Sequence, residues 1–138
     1  MKKTASEIEA DIYKYFKDKI NPLINGQTYR SGVRPLNSQK EDCVISFLTG
    51  LDGQYQTGVF NINIFVPMVK NNDNQYMKDF VRCEAIEQAL MPIIEEAKTA
   101  LRNYRLELHQ MIQTFEETDI KQFFINAKVK FRYNTFNQ

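Results

Sequence analysis

The sequence contains no tryptophan, a single histidine and two cysteines. His109 alone cannot build a histidine-based metal site, and its neighbours Glu107 and Gln110 do not have the spacing of known zinc ligands. Cys43 and Cys83 lie far apart and in no motif, so we predict small buried side chains in a reducing compartment, with a disulfide as the alternative. We therefore predict no metal and no cofactor.

Long apolar runs and an excess of charge are also absent. No window approaches the ~20 apolar residues that a membrane span needs. Glu7, Glu9 and Asp11 occupy the place where a signal peptide would have its apolar stretch. Because eighteen basic residues face seventeen acidic ones, the net charge of +1 gives no argument for nucleic acid or an anionic membrane. These features predict a cytoplasmic protein, or one exported by a route that the sequence does not reveal.

Catalytic constellations are lacking as well. The glycines at positions 26, 32, 50, 53 and 58 form neither a P-loop nor a dinucleotide fingerprint, and no serine lies in a G-x-S-x-G motif. Adjacent helical residues such as Glu95 and Glu96 point in different directions, so they cannot share a proton as a catalytic dyad does. We predict that the protein is not an enzyme and has no catalytic residues.

The clearest pattern in the chain is a strict alternation of apolar and polar residues over positions 123–134. Successive strand side chains point to opposite faces, which predicts a long strand with one apolar face and one basic face. Lys128, Lys130 and Arg132 share the basic face with Phe124 and are weak candidates for a binding site. Such a stripe can follow a nucleic-acid backbone, although a solvated face whose lysines discourage edge aggregation is the more ordinary interpretation.

Two helices are predicted from apolar residues at intervals of three and four. The first covers residues 6–20 and begins with a capping box formed by Ser6 and Glu9. The second covers residues 76–101 and follows a polar turn and helix cap at residues 71–74. Pro92 falls inside this second helix, which predicts a kink there or a new helix that starts at the proline.

Strands are predicted at residues 27–30, 43–49 and 55–68, with a loop at 31–42 and a hairpin turn at Asp52 and Gly53. Residues 104–115 fit either a strand or a continued helix. We prefer the strand because the last strand needs a neighbour, and residues 116–119 then form the connecting turn. The predicted fold is one α+β domain over residues 1–138, an antiparallel or mixed sheet packed against two helices in the order α-β-β-β-α-β-β.

This order resembles that of the tail-terminator, or tail-completion, proteins of bacteriophages and prophages, small α+β proteins that form a ring at the end of the tail tube. The resemblance rests on the first helix, on Tyr29 and Arg30 followed by a loop with Pro35, and on the hairpin, helix and paired strands that follow. It implies self-association into a ring and contact with tail-tube or head-completion proteins. It also implies a bacterial host cytoplasm and assembly into the virion tail, where DNA would be met only in the ring lumen.

A binding module is the alternative class of function. Such a cytoplasmic protein would use the basic face that carries Lys128, Lys130 and Arg132 to hold nucleic acid. Self-association and docking on tail tubes favour the structural tail protein, whereas oligonucleotide binding by a monomer favours the binding module.

Overall fold

A computed structural model of the chain describes residues 2–51 and 55–134. Within these residues the fold is α+β, as predicted, with two helices and a six-stranded sheet. The helices are α1 (Ala5–Ile20) and α2 (Phe80–Ala100). The strands are β1 (Thr28–Arg30), β2 (Cys43–Leu51), β3 (Tyr55–Pro67), β4 (Val69–Lys70), β5 (Tyr76–Met77), β6 (Tyr104–Leu108), β7 (Gln113–Glu117) and β8 (Gln122–Asn134).

The main sheet is organised around the long strand predicted at the C-terminal end of the chain. Its order is β1-β2-β3-β8-β6, and β7 pairs with the other part of β8. Only β1 and β2 run parallel, so the sheet is mixed. Along one side β8 pairs with β3 from Gln122 opposite Pro67 to Asn134 opposite Tyr55. Along its other side lie β6 and β7, end to end.

The core lies between one face of this sheet and the two helices. The predicted alternation in β8 is confirmed, because its apolar positions are buried from Ile125 to Tyr133 and Phe123 packs half-buried against the core. Lys130, on the opposite face, is exposed. Helices α1 and α2 contribute their apolar stripes to the same core. In α2 the fully buried residue after Leu90 is Ile94, and the adjacent Ile93 is half-buried. The opposite face of the sheet, called the outer face here, carries the polar residues of these strands.

The first helix begins two residues earlier than the Ser6 capping box predicts. Thr4 is the N-cap: its side chain accepts a hydrogen bond from the Glu7 N–H at 3.2 Å, and the Thr4 N–H donates to Glu7 Oε1 at 2.8 Å. The sequence holds two overlapping boxes of the same form, and Ser6 lies inside the helix that the earlier one starts. Glu9 instead accepts a hydrogen bond from Arg30 Nε at 2.7 Å.

The predicted start of the second helix is also wrong. Residues 71–74 form the turn of a separate hairpin, β4 with β5, in which Asn71 Oδ1 accepts the backbone N–H groups of Asp73 and Gln75. Helix α2 begins only at Phe80, where the Asp79 side chain accepts the Arg82 N–H at 3.1 Å. The helix continues through Pro92, so no second helix starts there.

Residues 104–115 are extended, which confirms the strand that was preferred over a continued helix. The C-terminal region nevertheless contains one more strand than predicted. β6 and β7 are separated by residues 109–112, and β7 includes Glu116 and Glu117, which were assigned to the connecting turn. The turn is a short 3-10 helix, Thr118–Ile120, followed by Lys121 with a left-handed φ of 55°. The predicted turn at Asp52 and Gly53 lies outside the described residues, although β2 and β3 do pair antiparallel.

Candidate functional site

The outer face of the sheet holds all three of the predicted binding candidates. Lys128 and Arg132 are half-buried and Lys130 is exposed. Pairing of β6 with β8 places Glu107 opposite Lys130 and Arg105 opposite Arg132. The structure therefore adds Arg105 to the basic set. Sequence reasoning missed it because its position depends on a strand pairing between distant segments.

A shallow depression of about 390 Å³ lies on this basic part of the outer face. Arg105, Glu107, Lys130 and Arg132 line it, whereas Lys128 does not. Like charges directly opposite each other in a sheet repel, and Arg105 and Arg132 are such a pair.

The rest of the outer face changes from basic to polar and then to aromatic along β8. Asn126 donates hydrogen bonds to Asn61 Oδ1 at 3.1 Å and to Asn63 Oδ1 at 2.7 Å. Beyond this amide cluster, Phe124 lies between Phe65 and Phe115 with ring centroids 5.6 Å apart on both sides. Phe124 thus shares the face of the basic residues, as predicted, but it lies well away from Arg132.

A second group of side chains, called the apolar end here, lies on three segments near the start of β8. Its side chains belong to the loop at residues 31–42, to the β4–β5 hairpin and to the first turn of α2. Leu36 is 94% exposed and Val81 is 81% exposed. The apolar end consists of Val33, Leu36, Val69, Tyr76, Met77, Phe80 and Val81, all of them exposed large hydrophobic residues.

Two of these three segments, the loop and the hairpin, are fastened to the same corner of the sheet. The Gln122 side chain accepts a hydrogen bond from Arg34 Nη2 at 2.9 Å and donates one to the Ser38 carbonyl at 2.9 Å. On the hairpin side, the Met68 N–H donates to the Lys121 carbonyl at 3.1 Å. The exposed apolar side chains of the loop and the hairpin therefore project from backbone that is fixed to the sheet.

Buried ion pairs on two consecutive carboxylates anchor the loop. Glu41 accepts hydrogen bonds from Arg82 Nε at 2.6 Å and Nη2 at 2.8 Å, which ties the loop to α2. Asp42 accepts from Arg34 Nε at 2.9 Å, from the Gln27 N–H at 3.0 Å and from the Ser38 hydroxyl. Both carboxylates are buried, at 7% and 1% exposure, so their role is to hold the loop in place.

Gly26 is required by the same network. A Cβ atom at this position would lie 2.0 Å from Asp42 Oδ1 and 2.3 Å from the Glu41 carbonyl oxygen, closer than real Cβ contacts. The Gly26 N–H donates to that carbonyl at 2.9 Å. The glycine thus lets the chain after α1 approach the two carboxylates closely.

Ionisation of the Asp42 carboxyl makes the free energy of unfolding depend on pH. Burial alone would raise the pKa of this carboxyl, but hydrogen bonds from Ser38, the Gln27 N–H and Arg34 outweigh it and lower the pKa below its ordinary value of 3.8. A depressed pKa contributes stability above the unfolded-state value and loses it as pH falls through the folded-state value. We expect the free energy of unfolding to fall steeply below about pH 4, and the Asp42→Asn variant to show a shallower fall in urea titrations between pH 6 and pH 2. Equal slopes would contradict this role.

Both cysteines are buried, whereas the histidine is exposed. Cys43 and Cys83 are buried free thiols, so the disulfide alternative is wrong. Burial raises the pKa of Cys83 to about 11 and raises that of Cys43 as well, which keeps both thiols protonated and unreactive. His109 is exposed between β6 and β7. Over residues 2–51 and 55–134, no group of three or more histidine, cysteine, aspartate or glutamate side chains could hold a metal ion.

No protein-family model matches this chain, and no curated protein matches it either. In the part of the chain that the structure describes, neither helix has the length and apolar character needed to cross a membrane. The resemblance to tail-terminator proteins stays a prediction, and the outer face and the apolar end are the surfaces on which a function has to be argued.

Proposed function

We propose that the protein is a structural component of a phage or prophage tail, of the tail-terminator or tail-completion type, which forms or joins a ring at the end of the tail tube. The apolar end supports this proposal most strongly. In this proposal another protein covers these exposed apolar side chains, which lie on segments held near the start of β8. Leu36 and Val81, the most exposed of them, project from a loop that Gln122 holds to the sheet and from a helix start that Arg82 ties to Glu41 of that loop.

A ring subunit needs different surfaces for its different neighbours, because contacts between successive copies are head-to-tail. In this proposal the apolar end contacts the tail tube or a head-completion protein. The basic part of the outer face, with Lys128, Lys130 and Arg132, lies towards the ring lumen or open solvent. If it lines the lumen, it attracts the phosphates of passing DNA only through a long-range field. The protein has no catalytic role in this proposal.

The nucleic-acid-binding module is a second candidate because Arg105 joins the basic set. Arg105, Lys128, Lys130 and Arg132 now lie together with Glu107 on the basic part of the outer face. Four phosphate contacts would give a salt slope of no more than about four in logarithmic terms. The stacked phenylalanines around Phe124 are separated from these cations by the amide cluster around Asn126. In single-strand binding grooves, by contrast, the aromatic rings that stack on bases lie beside the cations that contact phosphates.

Light scattering and tube binding separate the two candidates. We expect the protein to self-associate as its concentration rises, or on addition of a phage tail-tube protein. The double variant Leu36→Ser with Val81→Ser should lose tube binding while its stability changes by no more than about 0.5 kcal/mol per site, since both side chains are exposed. Met111→Ser is the matched control, because Met111 is 80% exposed but lies between β6 and β7.

The opposite pattern would favour the second candidate. A protein that stays monomeric, ignores tail tubes and binds oligonucleotides at physiological salt, with binding reduced by Lys130→Glu, would contradict the structural role.

A further inference from the structure

We infer that the free edge of β2, at residues 46–51, pairs with β6 of a second copy, so that one continuous sheet runs around the ring. This inference rests on the proposed function and names its lateral contact. A strand edge is a row of backbone donors and acceptors, and the chemistry that satisfies it is another extended strand.

The free part of the β2 edge is defined by the short length of β1. Strand β1 pairs only with Cys43, Val44 and Ile45, and the described residues place no other strand beside residues 46–51 on that side. The Cys43 N–H donates to the Gln27 carbonyl at 2.9 Å, towards β1. Because strand backbone groups alternate in direction, the Phe47 N–H and C=O point to the same side, where they face no strand.

The composition of this edge indicates that it is covered in an assembly. Residues 46–51, Ser-Phe-Leu-Thr-Gly-Leu, contain neither charge nor proline. Exposed edges of natural sheets are usually guarded by lysine, proline or very short strands, because an unguarded edge pairs with other chains. Leu48 is 44% exposed beside this edge. An unguarded edge with an exposed leucine is a liability unless a partner strand occupies it.

The partner strand is β6 because it is an open edge of the same sheet at the level of the free part of β2. Leu108 registers with Phe60 through Val129, and Phe60 in turn registers with Phe47. β6 has five residues, and the free part of β2 spans positions 46–51. The His109 N–H donates to the Lys128 carbonyl at 2.8 Å, so the alternate N–H groups of Leu106 and Leu108 point away from β8 to the open side. The charged side chains of Arg105 and Glu107 lie on the outer face and leave that edge clear.

Strand directions agree with this pairing. β2 is antiparallel to β3, β3 to β8, and β8 to β6, so β6 runs opposite to β2 within one copy. A rotation about an axis along the strands preserves strand direction, and it therefore brings β6 of the next copy antiparallel to β2. That strand occupies the half of the β2 edge that β1 leaves free. The contact is heterologous, and repeated rotation closes it into a ring.

Two edge variants and their mixture test the pairing. Leu48→Lys adds a guarding charge beside the β2 edge, and Leu108→Pro removes an outward N–H from β6. We expect neither variant to form rings alone, whereas their mixture forms one-to-one dimers, since each variant keeps the edge that the other has lost. Leu48→Thr, an uncharged strand-forming control, should still form rings. Circular dichroism establishes that each variant is folded.

Hydrogen exchange of the unaltered protein gives an independent measurement. Ring formation should slow amide exchange at Phe47, Leu106 and Leu108 at least tenfold, with no comparable change in the hairpin turn at residues 71–74. The edge pairing would be overturned if both variants still form rings, or if the unaltered protein forms rings without slower amide exchange at Phe47. Neither result would contradict the proposal that the protein forms a ring. Assembly of Leu108→Pro alone would indicate pairing of two β2 edges and would also overturn it. A wild-type protein that stays monomeric even on tail tubes would overturn both.

Discussion

Replacement of Phe131 by alanine is expected to lower the free energy of unfolding by about 3–5 kcal/mol. Phe131 is 3% exposed and points into the core from β8. Its ring centroid lies 5.2 Å from that of Phe47, 6.3 Å from Tyr104 and 6.4 Å from Phe60. Truncation removes the contacts with these rings and leaves a cavity that three separate strands cannot close by a local shift. Urea denaturation measures the loss.

Lys130→Ala is the matched control, because Lys130 is the adjacent residue of the same strand and points to the outer face. Its effect should stay within about 0.5 kcal/mol. Equal losses of stability for Phe131→Ala and Lys130→Ala would mean that the inner and outer faces of β8 are assigned wrongly, since a shift of register by one residue exchanges the two faces.

Asp42→Ala should be nearly as damaging, with an expected loss of about 3–5 kcal/mol. The carboxylate is 1% exposed and accepts hydrogen bonds from Arg34, from the Gln27 N–H and from the Ser38 hydroxyl. Removing it leaves the guanidinium of Arg34, whose side chain is only 12% exposed, without its carboxylate. Breaking one side of a buried pair costs more than the pair contributes, because the remaining charge is left without compensation.

Asp73→Ala provides the comparison for this second prediction. Asp73 is exposed in the turn between β4 and β5, so its loss should change the free energy of unfolding by no more than about 0.5 kcal/mol. If thermal or urea unfolding shows the two aspartate variants to be equally stable, the network around Asp42 does not anchor the loop at residues 31–42.

The parts of the fold that the sequence predicts are those with long, regular patterns. β3 and β8 alternate over many residues, and α1 repeats its apolar residues every four, so local geometry alone determines which side chains are buried. The β4–β5 hairpin has only two residues in each strand, too few for a period to show. Tyr76 and Phe80 fit the helical spacing of α2 by position, but tertiary structure places Tyr76 in β5 and leaves both rings exposed.

The candidate surfaces were predictable only where one strand carries them. Lys128, Lys130 and Arg132 share a face because strand geometry requires it. Arg105 joins them through pairing between segments that are distant in sequence, and the link from Arg82 to Glu41 spans 41 residues. The apolar end likewise combines a loop, a hairpin and a helix start. No local sequence pattern encodes contacts between distant segments, so only the structure reveals them.

Electron microscopy of the protein mixed with phage tail tubes tests the central claim most directly. A ring-forming tail protein should appear as a closed ring at one end of each tube. The ring should be absent when Leu36→Ser and Val81→Ser are combined, and it should persist in Met111→Ser. Bare tube ends together with monomeric wild-type protein would contradict the proposed function.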